Sequence, residues 1–158
     1  MKVLYEIEEF KTDNPVVLTQ GTFVGVHVGH RKILTHVVNE AKMIAGESVL
    51  LTFYPHPSLV LYPDDNELKL LTTIEEKVDL VESLGIDYLV IIPFTKEFSR
   101  LRALEFVRDI LVEKLTLSKL IIGYDHRFGR NREGGMVEMI NFAEVYDFEL
   151  EEISAQDV

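Results

Sequence analysis

An open α/β sheet of parallel strands with helices on both faces is the fold this sequence predicts, and three observations predict it. Apolar runs of strand length alternate with amphipathic stretches along the chain. Runs such as Leu89-Val90-Ile91-Ile92 are apolar without a break, as strands buried on both faces are. Chemistry-bearing segments follow the strands: Gly21–His30 the first, Tyr54–Pro57 the second, Pro93–Phe98 the third and Gly123–Gly129 the fourth. A βαβ series of this kind builds a Rossmann-like sheet, in which ligands bind beyond the carboxyl ends of the strands.

The elements follow in order. Val16–Thr19 is the first candidate strand. A helix over Gly29–Ala45 is read from the stripe Ile33, Leu34, Val37, Val38 and Ala41; His36 falls outside that stripe and is expected to face solvent. Ser48–Phe53 reads as the second strand. Thr72-Thr73-Ile74-Glu75-Glu76 has the form of a capped helix start with acidic residues in the first turn, so a helix is placed over Thr73–Leu84 and stopped by Gly85. Tyr88–Pro93 is the third strand, Ala103–Lys114 a helix, Lys119–Gly123 the fourth strand, Met136–Tyr146 a helix and Phe148–Ile153 the last strand. No repeat, low-complexity tract or internal linker interrupts the series.

With 158 residues and 47% hydrophobic content, the chain is expected to form one domain with a full core. No apolar run approaches the length of a bilayer span and the N-terminus lacks a signal-peptide pattern, so a cytoplasmic location without a membrane partner is expected. The absence of cysteine excludes a disulfide framework and a thiolate metal site. A net charge of −11 argues against a nucleic-acid partner. Any anionic ligand then needs positive groups gathered against the general field. Arg127, Arg130 and Arg132, close to Gly129 and Gly134-Gly135, offer such a loop; a solvated surface loop is the alternative reading.

The most informative stretch is Gly21-Thr22-Phe23-Val24-Gly25-Val26-His27-Val28-Gly29-His30, between a candidate strand and a candidate helix. Glycines let backbone approach a ligand closely, and the first turn of a helix presents unpaired N–H groups to an anion. Imidazoles at that point add hydrogen bonds to phosphate oxygens, so the segment reads as a phosphate site for a nucleoside triphosphate. A zinc site is disfavoured, because His27 and His30 straddle a glycine turn without a cysteine.

His27-Val28-Gly29-His30 resembles the signature of the HxGH nucleotidyltransferases, with Gly21-Thr22-Phe23 as its approach. Thr52-Phe53-Tyr54-Pro55-His56-Pro57 resembles the T-F-x-P-H-P segment of bacterial FAD synthetases, and Gly123-Tyr124-Asp125-His126-Arg127-Phe128-Gly129 their G-x-D-F-R-F-G segment. Pro93–Phe98 and Glu105-Phe106-Val107 are similar to further segments of that family, and the likeness runs from about Val16 onward. The resemblance implies a nucleotidyltransferase fold and adenylyl transfer from ATP to FMN, giving FAD and pyrophosphate. It implies a riboflavin kinase domain in the parent chain, beyond a module truncated at its C-terminal end. It places His27 and His30 on the ATP phosphates as catalytic groups. It assigns nucleotide binding to Gly21, Thr22, Phe23, Gly25, Gly29, Asp125 and Arg127, and flavin binding to Phe53, Pro55, His56, Pro57 and Phe128. Magnesium would arrive with ATP, held mostly by phosphates and water, with no metal site of the protein's own.

The residues leave some roles open. Pro55 and Pro57 confine His56 to extended backbone, which suits a stiff wall or a direct contact equally. Phe53, Tyr54, Phe94, Phe98 and Phe128 are read either as stacking partners or as core. Asp125 either binds the nucleotide or caps a loop.

Three departures from the family pattern bear on activity. Val24 stands where the family has aspartate, Ser58 stands where a basic residue commonly follows the P-H-P segment, and the I-S-S-T-x-I-R segment is not reached by Val158. A catalytically weak nucleotide- or flavin-binding module is therefore one alternative, and a nucleotidyltransferase with another phosphate acceptor is the other. Thr52–Pro57 and Gly123–Gly129 favour the flavin branch over the second.

Overall fold

The computed structural model describes residues 1–21, 28–54, 74–123, 129 and 134–153, with backbone alone at 28–30 and 74. Six strands form one sheet among these residues: β1 (Lys2–Leu4), β2 (Val16–Gln20), β3 (Glu47–Tyr54), β4 (Tyr88–Pro93), β5 (Leu117–Gly123) and β6 (Glu149–Ile153). Their order is β1-β4-β3-β2-β5-β6 and every pairing is parallel. Helices α1 (Val28–Met43), α2 (Ile74–Ser83), α3 (Lys96–Ser99), α4 (Ala103–Glu105) and α5 (Met136–Tyr146) stand between the strands. This is the α/β architecture the sequence predicts.

The strand sequences explain the layering. Residues alternate across a strand, and in the central strands both sets are apolar. Val16, Leu18, Val49, Leu51, Val90, Ile92, Leu120 and Ile122 belong to one buried cluster, with Phe106, Leu111 and Met139 from the helices on that face. Val17, Leu50, Leu89, Ile91 and Ile121 belong to the other, against Ile33, Leu34, Val37, Val38 and Ala41 of α1. The predicted α1 stripe is therefore its buried face. Both sheet edges are blunted, as exposed edges need to be. β1 is three residues long, and β6 carries Glu149, Glu151 and Glu152.

Boundaries shift where local sequence is weak. β1 has too few residues for a period and was not expected; it pairs with β4 and its Lys2 N–H donates to the Asp87 carbonyl at 2.9 Å. The helix expected over Ala103–Lys114 is α-wound only at its start and continues as a π-helix from Phe106 to Lys114. There the Leu115 N–H reaches back five residues to the Ile110 carbonyl at 3.0 Å, and the wider winding turns Phe106, Val107 and Leu111 inward. Gly85 ends α2 as predicted: its φ of +94° lies in the region that costs glycine nothing.

The amino end of the sheet is closed by hydrogen bonds. Buried Ser48 donates its N–H and its hydroxyl to Asp87 Oδ2 at 2.9 and 3.0 Å, and its Oγ accepts the Asp87 N–H at 2.9 Å. That exchange fixes the starts of β3 and β4 to each other.

Candidate functional site

β2 pairs with β3 on one side and β5 on the other, so the strand order reverses beside it. Parallel sheets open a crevice at such a reversal, beyond the carboxyl ends of the strands. Here its lips are Gln20 and Gly21 from β2 and Gly123 from β5. Gly21 extends the β2–β3 pairing, its N–H donating to the Leu51 carbonyl at 3.1 Å. Two of the four predicted motifs, Gly21–His30 and Gly123–Gly129, start on opposite lips.

α1 begins at Val28, inside the His27-Val28-Gly29-His30 segment, so Gly29 and His30 lie in its first turn. A helix start carries partial positive charge and favours acidic side chains. The other helices follow that rule: Glu75 and Glu76 open α2, Glu97 is in α3, Glu105 in α4 and Glu138 in the first turn of α5. α1 has no acidic residue there and continues instead with exposed Arg31 and Lys32. With Thr35, His36 and Asn39 these two cations line a shallow depression of about 350 Å³. In a chain of net charge −11, basic residues at a helix start are unfavourable unless an anion sits with them. The sequence reading passed over Arg31 and Lys32, although their place directly after His30 was the available signal.

Beyond β3 and β4 the opposite face carries four phenylalanines. Phe53 lies 6.0 Å from Phe94, 5.5 Å from Phe98 and 6.5 Å from Phe106 between ring centroids, in edge-on and tilted arrangements. Phe98 is 5.7 Å from Phe94 and 6.3 Å from Phe106. Such geometries are favourable for quadrupolar rings. Phe106 is buried, whereas Phe53, Phe94 and Phe98 are half-buried, leaving an apolar wall beside the strand ends. Phe94 and Phe98 are placed by α3, whose N-cap Thr95 accepts the Phe98 N–H on its hydroxyl at 3.0 Å. The segment Pro93–Phe98 is thus a capped turn of helix, and Glu105 likewise accepts the Arg102 N–H at 3.1 Å to hold the start of α4. Tyr54 is half exposed on the other side of the sheet.

Gly129, last residue of the motif after β5, has a φ of +76°. A Cβ there would stand 2.8 Å from the N and Cα of Ala103. The glycine therefore does two things a side chain would forbid: it takes a left-handed turn and lets the chain rest on the start of α4.

Among the predicted site residues the structure brings Gly21, Gly29 and Phe53 to the carboxyl end of the sheet, with the backbone of His30. Thr22, Phe23, Gly25, His27, Pro55, His56, Pro57, Asp125, Arg127 and Phe128 lie outside the described residues, as do Val24, Ser58, Arg130 and Arg132. Two polar residues at this end were not foreseen. Gln20 and Thr52 are buried at 8% and 0% exposure. Lys77 in α2 is half-buried, and that burial lowers its pKa from the ordinary lysine value.

His36 corrects an expectation. It is not a free solvent-facing side chain: its Nε2 meets Glu151 Oε2 of β6 at 2.7 Å and Glu40 at 3.6 Å. Lys119 of β5 donates to Glu40 at 2.9 Å and to Glu151 at 3.0 Å. His36, Glu40 and Glu151 are ligand-type groups within 4.8 Å of one another, and the Lys119 ammonium supplies the positive charge between the carboxylates. Burial would raise the Glu151 pKa, but hydrogen bonds from Lys119 and His36 outweigh it and hold the carboxyl below its usual range. Burial likewise opposes the charged Lys119, yet its bonds to Glu40 and Glu151 raise it above the usual value.

The strand order, the reversal beside β2 and the helix start over it define an open, Rossmann-like parallel α/β domain. A pantoate-beta-alanine ligase from Francisella tularensis superposes with a TM-score of 0.58 at 12% identity, covering 98% of this chain and 66% of that one. A structure from Streptococcus pneumoniae described as a macrolide-efflux protein superposes with a TM-score of 0.78 at 23% identity, covering 96% of this chain and 49% of the other. Both likenesses are of fold. The sequence goes further: the FAD synthetase family matches residues 9–158, and the chain belongs to that family. It is 36% identical over 156 residues to the bifunctional riboflavin kinase/FMN adenylyltransferase of Buchnera aphidicola subsp. Schizaphis graminum, covering 98% of this chain and 50% of the relative. The chain spans about half the length of the relatives it matches. Among the described residues no helix is long and apolar enough to cross a membrane.

Proposed function

We propose that this chain is an FMN adenylyltransferase module, transferring the adenylyl group of ATP to the phosphate of FMN to give FAD and pyrophosphate. The observation that carries the reading is the start of α1, alone among these helices in lacking an acidic first turn. It stands at the strand-order reversal with Arg31 and Lys32 beside the His27–His30 signature, where a triphosphate would lie. Membership of the FAD synthetase family supplies the acceptor, and the relatives' names support a riboflavin kinase half in the full-length protein.

The chemistry asks little covalent help of the protein. An FMN phosphate oxygen attacks the α-phosphorus of ATP in line, the bond to the bridging oxygen breaks, and pyrophosphate leaves. Negative charge grows on the departing oxygens, so positioning and preorganised donors lower the barrier. His27, His30 and the first-turn N–H groups of α1 are those donors in this reading. Nucleotide binding falls in this reading to Gly21, Thr22, Phe23, Gly25, Gly29, Asp125 and Arg127. Phe53, Pro55, His56, Pro57 and Phe128 form the flavin side, where the wall of Phe53, Phe94 and Phe98 offers an apolar surface to the isoalloxazine. Magnesium would arrive with ATP, held mostly by phosphates and water, and the reaction, needing ATP, suits the cytoplasm.

Turnover of ATP and FMN to FAD, followed by chromatography, tests the assignment. His27→Ala and His30→Ala should each lower kcat by about two to three orders of magnitude, as loss of one preorganised donor does. Unchanged turnover in both variants removes the role given to them, and ATP binding without FAD formation in the parent chain selects the binding-module alternative.

A further inference from the structure

Thr52 is fully buried, and among the described residues its hydroxyl has no hydrogen-bond partner. Buried hydroxyls are nearly always paired, because leaving water without a replacement bond is costly. An exception therefore asks for a cause, and the position of Thr52 suggests one. It precedes Phe53 and Tyr54 at the carboxyl end of β3 and pairs in register with Ile91 of β4. Leu50, two residues earlier, and Ile91 both pack with α1, so the Thr52 side chain stands on the α1 face of the sheet. The residue beside it in register is Gly21, whose N–H already donates to the Leu51 carbonyl. The unpaired hydroxyl thus belongs to the carboxyl end of β3 on the sheet face that α1 covers, and α1 lacks at its start the acidic residue a helix start favours. Two independent observations fall on one face at the carboxyl end of the sheet: a helix start without an acidic residue, and a desolvated hydroxyl without a hydrogen bond among the described residues.

We infer that Thr52 is a positioning residue whose hydroxyl gains its hydrogen bond only when nucleotide occupies the α1 N-terminus, pairing there with the main chain at the start of α1. This rests on the nucleotide-binding reading above and deepens it. The hydroxyl does not touch the reacting phosphorus. In the empty protein it is a cost to stability, and in the bound protein the same group holds the helix start in the geometry the phosphates need. Stability and binding then respond to its removal with opposite signs, which no purely structural residue does.

Thr52→Val keeps shape and removes the hydroxyl; Thr52→Ser keeps the hydroxyl and removes a methyl group. Melting of the ligand-free chain and calorimetric titration with Mg-ATP are compared for the parent and both variants, with kcat and KM for FAD formation. The expected result is a Thr52→Val protein that melts about 2 to 4 °C higher without ligand, from relief of an unpaired buried donor. It binds Mg-ATP about five- to tenfold more weakly, the loss of one hydrogen bond. Its KM for ATP rises more than its kcat falls. Thr52→Ser binds within about threefold of the parent. A Thr52→Val protein that binds ATP as tightly as the parent overturns the inference, whatever its melting temperature. So does one that melts lower or fails to fold, because the hydroxyl is then already paired in the free protein. A parent chain that binds no ATP overturns the nucleotide reading itself, and the parent's own titration separates that failure from the failure of Thr52.

Discussion

Ser48 and Thr52 stand on the same face of β3, both buried, and the sheet treats them in opposite ways. At the amino end Ser48 exchanges three hydrogen bonds with Asp87. At the carboxyl end the Thr52 hydroxyl has no partner among the described residues. A buried polar group that is satisfied only specifies structure, and an unsatisfied one carries a standing cost. The amino end is therefore finished by the protein alone, while among the described residues the carboxyl end presents a helix start without an acidic residue, cations beside it and an apolar aromatic wall. A fold that binds at one end of its sheet has to divide its polar groups in this manner, since groups already paired with each other have nothing left for substrate.

The largest effect expected from a single change tests whether the carboxyl end is also architecture. Gly129→Ala places a Cβ 2.8 Å from Ala103 and asks alanine to hold a φ of +76°. The left-handed turn and the forced displacement of α4 together should cost about 3 kcal/mol, measured by denaturant unfolding. FAD formation should fall as well, because Gly129 closes the Gly123–Gly129 motif to which nucleotide and flavin binding are assigned. A variant of parental stability would show that the close approach is not needed. It would also break the comparison in favour of a carboxyl end that is purely functional.

The next change addresses the amino end. Asp87→Ala takes the carboxylate from Ser48 and leaves its buried hydroxyl without an acceptor, which should cost about 2 kcal/mol. Because this contact lies at the opposite end of β3 from the crevice, the Kd for Mg-ATP should stay within about twofold of the parent. A large change in Kd at unaltered stability would mean that the two ends of the sheet are not independent.

Much of this division could be read before the structure, and what could not has a physical reason. Val16-Val17-Leu18 and Leu89-Val90-Ile91-Ile92 announce themselves because burial on both faces leaves no polar interruption. The Gly21–His30 stretch announces itself by residue type, since glycines and imidazoles at a strand–helix junction have few structural uses. β1 escaped because three residues carry no period. The π-winding of Phe106–Lys114 escaped because i, i+1, i+5 burial differs from an α stripe by one residue. Pairing across long sequence separation is the part that local patterns cannot hold. His36 lies outside the apolar stripe of α1, and its shortest contact, Glu151, arrives from far along the chain on the edge strand β6. The unpaired Thr52 hydroxyl among the described residues is of the same kind, for a missing bond is visible only from the three-dimensional neighbours of a side chain.

The smallest expected effect concerns the network that joins α1, β5 and β6 away from both strand ends, and its signature is a pH window. Glu151 is held below the ordinary carboxylate value of 4.5, so its contribution is present above that pH and is lost as pH falls through the lower folded value. Lys119 is raised above the ordinary 10.5, so its contribution is present below that pH and is lost as pH rises through the higher folded value. Lys119→Met removes the cation and leaves Glu40 and Glu151 facing each other, with His36 still bonded to Glu151. The stability difference between parent and variant should therefore be greatest between these limits and shrink on both sides. In acid it shrinks because Glu151 is protonated, and in alkali because the lysine itself discharges. Both partners are partly exposed, so salt should compress the whole difference. Equilibrium unfolding of the pair across pH, at low and high ionic strength, supplies the measurement. A difference that is flat through the acid limb would mean that Lys119 is anchored by packing of its stem and not by its charge. The affinity for Mg-ATP at neutral pH should be the same in parent and variant, since Lys119 bonds Glu40 and Glu151 in the middle of β5 and β6, away from the carboxyl ends of the strands.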